Sequence, residues 1–107
     1  MSLSQRPGPD IQLGPETESA QGWVYANTHI FQDGRHEVTE LRLSYPDYDH
    51  WSRGATPPSH VAQRALIYAL TNWPNQQRPQ PWPAIIDCST LRRHLPELDA
   101  AMKSPVD

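Results

Sequence analysis

Residues 45–51 read YPDYDHW, three aromatics, two aspartates and a histidine in seven positions. Asp47, Asp49 and His50 are oxygen and imidazole ligand types, so the stretch is a candidate metal or acid–base site. A metal needs three or four converging ligands with support behind them. His29, His36, His60 or His94 would have to supply the rest, and no spacing demands it. The same residues also suit a turn. Asp47 follows Pro46, and aspartate side chains bond nearby backbone N–H groups in turns. On that reading Tyr45, Tyr48 and Trp51 are anchors on the body of the domain. Tyrosine and tryptophan are enriched at interface hot spots, which adds a third reading, a contact surface.

Cys88 is the one cysteine, so no internal disulfide can form. It follows a short apolar run and opens a helical pattern, a place where the helix dipole lowers a thiol pKa. With Arg92 and Arg93 one turn on, the segment resembles the phosphate loop of tyrosine phosphatases. That loop needs C-x5-R, and His94 stands at the arginine position. It also lacks the glycine that close backbone approach to phosphate requires. A small buried hydrophobe is the plainer role for Cys88. The chain has no P-loop, GxGxxG, HExxH or CxxC. No cofactor and no catalytic constellation are expected, although a small metal-dependent or thiol enzyme built on Asp47, Asp49, His50 or Cys88 remains an alternative.

The elements that would position these residues follow from pattern. Of 107 residues, 36% are hydrophobic and 12 are proline, which implies one lean domain with substantial loop. Residues 1–20 are Pro-, Gly-, Ser- and Glu-rich with isolated apolar residues, and are expected to be a disordered tail. A single domain then spans 21–104. The net charge is −3, and residues 1–20 hold Arg6 against Asp10, Glu16 and Glu18, so the body is nearly neutral. Such a body has no general attraction for nucleic acid or anionic lipid. No 18-residue apolar run and no recognisable targeting signal occur. With a lone cysteine, a soluble cytoplasmic protein is expected.

"WVYANTHIFQDGRHEVTELRLSY" alternates around Asp33-Gly34 and predicts a hairpin. Strict alternation puts Trp23, Tyr25, Asn27, His29 and Phe31 on one face of the first strand, and Val24, Ala26, Thr28 and Ile30 on the other. Leu41 and Leu43 mark the core face of the second strand. The Trp23/Tyr25/Phe31 face then needs cover, from the tail, a loop or another subunit. "SHVAQRALIYALTNW" is an amphipathic helix, with Thr56 as its cap, Pro57 and Pro58 in the first turn and Pro74 as its stop. Ile67 falls on its polar side. A proline-rich loop at 74–83 holds Trp82, "AIID" is a short buried strand, and Pro96 kinks or splits the last helical stripe, Leu91 to Met102. The order β-β-α-β-α predicts a two-layer α+β domain, an antiparallel hairpin and a third strand packed on two helices.

"TELRLS" followed by "PPSHVAQRALIYAL" resembles the ribbon-helix-helix repressors, over about 35 residues of the chain. The resemblance implies an interlocked dimer in which Glu40, Arg42 and Ser44 point outward from a strand and read bases in the major groove. It requires "PDYDHWSRGA" to form the intervening helix and the strand to be free to pair with its twofold mate.

The composition favours a different function, a small protein-interaction domain that binds another protein or itself. The aromatics exceed what one small core needs. Tyr45, Tyr48, Trp51 and Trp82 are the expected contact residues, with Asp47 and Asp49 as a polar rim.

Overall fold

The computed structural model describes residues 8–103. It is an α+β domain with a mixed five-stranded sheet and four helices. The strands are β1 (Asp10–Gln12), β2 (Glu16–Glu18), β3 (Gly22–Gln32), β4 (Arg35–Ser44) and β5 (Ile85–Asp87). The helices are α1 (Tyr45–Trp51), α2 (Pro58–Asn72), α3 (Cys88–His94) and α4 (Leu98–Lys103). This is two strands and two helices more than the pattern predicted.

The hairpin forms as expected. Asp33 and Gly34 both have positive φ, 55° and 77°, the geometry of a two-residue turn whose twist matches the strands it joins. β1 and β2 pair in succession along the outer edge of β3, and β5 pairs parallel to β4. The connection from β4 through α1 and α2 to β5 is therefore a crossover, which a parallel pair requires.

The expectation of a disordered tail over 1–20 is corrected for the described part. Asp10–Gln12 and Glu16–Glu18 are strands, and Ile11 is buried in the core. Three-residue strands with one apolar side chain between them carry no periodicity to read. They exist because β3 has an edge to satisfy. Residues 1–7 lie outside the described residues.

The expected faces of β3 are also corrected. Its register against β4 shifts between Tyr25 and Thr28, with Asn27 at φ 58°. A bulge inserts one residue and so inverts side-chain parity beyond it. Trp23 and Tyr25 share the core face with Leu43 and Leu41, as do Thr28 and Ile30, while His29 and Phe31 turn to the opposite face. The Thr28 hydroxyl holds the bulge together. It donates to the Tyr25 carbonyl at 2.7 Å and accepts from the Gly14 N–H at 3.1 Å.

The helices pack on one sheet face. α2 buries Val61, Ala62, Ala65, Leu66, Ala69 and Leu70, and its alanines allow close approach to Leu41 and Leu43. Pro57 rather than Thr56 occupies the cap position, and the helix ends at Asn72 because Trp73, before Pro74, is extended. Pro96 splits the last helical segment into α3 and α4, which bury Leu91, Leu98 and Met102. Residues 45–51 are helix α1 rather than a turn. The Ser44 hydroxyl accepts from the Asp47 N–H, and Pro46 sits in the first turn, where its missing N–H leaves no bond unmade.

This architecture contradicts the ribbon-helix-helix reading. "PDYDHW" is helical, as that fold requires, but β4 is paired on both sides, by β3 and β5. Across Glu40–Arg42, where that reading puts the base-reading strand, it has no edge for a twofold mate. Arg42 pairs with Glu40 at 2.6 Å and Ser44 caps α1, so the three base-reading positions are otherwise engaged.

Candidate functional site

The structure divides YPDYDHW between a buried polar network, an aromatic cluster and solvent. A helix presents alternate sides to different surroundings, so seven adjacent residues do not make one surface. Asp47 faces inward at 3% exposure. One carboxylate oxygen accepts from the Arg92 guanidinium at 2.7 Å, and the other from the Ser89 hydroxyl at 2.7 Å. Arg92 also grips Asp99 through two N–H groups, at 2.8 and 2.9 Å. The buried Trp51 indole donates to Asp99 at 2.8 Å, and Arg92 lies 5.8 Å from the Trp51 ring centroid. Asp99 and Asp47 raise the pKa of Arg92, and Arg92 holds Asp99 below the usual carboxylate value. The network ties α1, α3 and α4 together, with one guanidinium shared by two carboxylates. Among the described residues no buried side-chain nitrogen or oxygen lacks a partner.

Tyr45 and Tyr48 meet Trp23 edge-on, with ring centroids 4.9 and 5.0 Å away. The Tyr48 hydroxyl donates to the Thr56 carbonyl at 2.6 Å, and the Tyr45 hydroxyl donates to Glu18 and to the Ser19 carbonyl. Asp49 and His50 are exposed. The stretch thus places Asp47 and Trp51 inside, Tyr45 and Tyr48 half-buried, and Asp49 at the surface.

The thiol reading of Cys88 is contradicted. Its side chain is fully buried, and burial, then Asp47 and Asp87, push the thiol pKa up, away from the reactive thiolate. α3 does start at Cys88, but the flanking carboxylates oppose the dipole. Among the described residues no three His, Cys, Asp or Glu side chains converge as metal ligands. Asp47 is committed to Arg92 and Ser89. His50 lies 3.6 Å from Asp99.

Trp82, the remaining expected contact, leads to a different place. A cleft of about 470 Å³ opens between the loop 73–83 and the β5–α3 corner. Trp73, Trp82, Ile85, Thr90, Leu91 and His94 line it. Trp73 and Trp82 meet at 87° with centroids 5.6 Å apart, and His94 lies 5.3 Å from Trp73. The indole of Trp73 donates to the Gln77 carbonyl at 3.0 Å, and the Trp82 N–H to Glu37 at 2.7 Å, so the loop is pinned at both ends. A more open groove of about 630 Å³ lies between α2 and α4, lined by His60, Arg64, Ile67, Tyr68 and Met102 among others.

The cleft borders the outer edge of β5. The Glu40 N–H donates to the Ala84 carbonyl at 2.8 Å. By parallel-ladder alternation, Ile86 turns its backbone groups to β4, and Ile85 and Asp87 turn theirs outward. No described strand pairs on that side. The opposite sheet edge differs. It is interrupted at Gly14-Pro15 and carries Asp10, Glu16 and Glu18, devices that blunt strand addition.

Sequence reasoning placed Trp73 in a helix stripe, weighed His94 as a metal ligand and did not join them. Two tryptophans bracketing three prolines, Pro74, Pro79 and Pro81, were the signal present, since a stiff loop can hold two rings facing each other. No family model matches the chain, and neither a curated protein nor a solved structure matches it.

Proposed function

We propose that this protein is a peptide-binding module, and that the aromatic cleft beside β5 receives an extended segment of a partner protein. The observation that carries the reading is the coincidence of an unpaired strand edge with a pocket walled by Trp73, Trp82 and His94. An added strand takes main-chain hydrogen bonds from the edge, and a neighbouring pocket selects one of its side chains. The outward N–H and C=O of Ile85 supply the first. The half-buried Trp73, backed by the buried Trp82, supplies the second, favouring an aromatic or proline side chain that packs against a ring face. The reading keeps Trp82 as a contact residue and moves the surface away from Tyr45, Asp47, Tyr48, Asp49 and Trp51.

Peptide display against the whole chain tests this. Selected peptides should quench or shift tryptophan fluorescence and lose at least about tenfold in affinity on Thr90→Arg, which fills the cleft with a solvated charge. Asp49→Ala should leave affinity unchanged. If no peptide is selected, the reading fails. It also fails if Asp49→Ala weakens binding and Thr90→Arg does not, because the surface is then α1.

A further inference from the structure

The helices cover one face of the sheet, and the strand register defines what the other face carries. Reading across β3 and β4, its rows are Phe31 beside His36, His29 beside Val38, and Val24 beside Arg42, with Glu40 next to Ile85 of β5. The exposed large hydrophobics among the described residues are Phe31 at 36%, Val38 at 50% and Ile85 at 47%. All three lie on this face. Phe31 and His36 stack with centroids 4.5 Å apart, and the His29 and His36 ring nitrogens approach to 2.6 Å. Glu40 and Arg42 neutralise each other.

We infer that a second copy of this chain docks on this face, forming a two-fold dimer packed sheet against sheet. Three features favour a second copy over a foreign partner. The centre of the face has almost no net charge, so it meets its own image without repulsion and offers no electrostatic address to another protein. A two-fold axis between β3 and β4, parallel to the strands, lays β3 of one copy over β4 of the other. Phe31 then faces His36, His29 faces Val38, Ala26 faces Glu40 and Val24 faces Arg42, and no like charges meet; the roughly 30° offset of packed twisted sheets preserves these neighbourhoods. The size also suits. The five strands run Asp10–Gln12, Glu16–Glu18, Gly22–Gln32, Arg35–Ser44 and Ile85–Asp87, and at about 4.8 Å by 3.3 Å per residue they give roughly 475 Å² in projection, which side-chain relief raises toward the ~800 Å² per partner of a stable interface. The inference does not rest on the cleft.

Light scattering on the whole chain, over a series into high micromolar concentration, tests it. The expected mass is twice the 12.2 kDa of one chain. Val38→Arg should raise the dimer dissociation constant about 100-fold or more, by burying an unpaired charge, with unchanged circular dichroism and a melting temperature that no longer rises with concentration. Phe31→Lys is the second variant, should Val38→Arg disturb the fold. A monomer throughout the series overturns the inference. So does a dimer that both variants leave intact, or one abolished instead by Ile67→Arg, which places the interface at the α2/α4 groove.

Discussion

Asp47 is a nearly inaccessible carboxylate whose two oxygens are held by Arg92 and Ser89, 45 and 42 positions along the chain. Removing one partner of a buried pair strands the other charge, whereas an exposed pair is worth little. Arg92→Met should therefore destabilise the domain by about 2–3 kcal/mol, the low end for a broken buried pair because Arg92 itself is partly solvated. Asp49→Ala, one turn face away, should fall within about 0.5 kcal/mol of wild type. Urea unfolding of the two variants measures both. Equal effects would mean that the network does not hold α1 in place. Nothing in the spelling of YPDYDHW separates Asp47 from Asp49. Their difference is the helical rotation between them and the arrival of α3 on one side.

At the scale of elements, the bulge in β3 decides which residues face the core. It depends on the crossing of Gly14 over Ala26. A β-carbon at Gly14 would lie 1.5 Å from the Ala26 carbonyl oxygen, and that obstacle is backbone. Gly14→Ala should push β1 and β2 away from β3 and cost about 2–3 kcal/mol. Hydrogen exchange should show lost protection at residues 10–18 well before any loss in α2. Unchanged protection there would mean that the N-terminal strands do not need the close approach. Elements with their own periodicity were legible. The hairpin, α2 and the break at Pro96 follow from alternation, an i, i+4 stripe and a missing N–H. β1, β2 and α1 were not, because each is short and is stabilised by what it meets: the β3 edge for the strands, and Trp23 and the Asp47–Arg92 network for the helix.

For the whole molecule, Asp10–Gln12 and Glu16–Glu18 are part of the sheet. Deleting residues 1–20 removes the buried Ile11, worth about 1.5–3 kcal/mol, and two ladders of strand hydrogen bonds. It also bares the long apolar edge of β3. The truncated chain should melt well below the full one and aggregate on concentration. A truncation that melts at the same temperature, with the same solution mass, would return the segment to the status of a dispensable tail. The same accounting of edges separates the two sides of the sheet. The β1/β2 side is short, broken and acidic. The β5 side has an apolar residue and an aromatic cleft next to it.

By itself, the sequence determined the α+β class, the turn at Asp33-Gly34, the apolar face of α2 and the division at Pro96. These depend on φ preferences, lost donors and periodicity within about fifteen residues. Tertiary structure alone decided the parity of β3 beyond Tyr25, the burial of Asp47 against the exposure of Asp49, and the meeting of Trp73, Trp82 and His94 in one cleft. Each of these is set by a partner far along the chain, Gly14 for the bulge, Arg92 for Asp47, and the β5–α3 corner for the tryptophans. Burial and hydrogen bonding belong to such pairs, and a linear pattern records the members of a pair without recording that they meet.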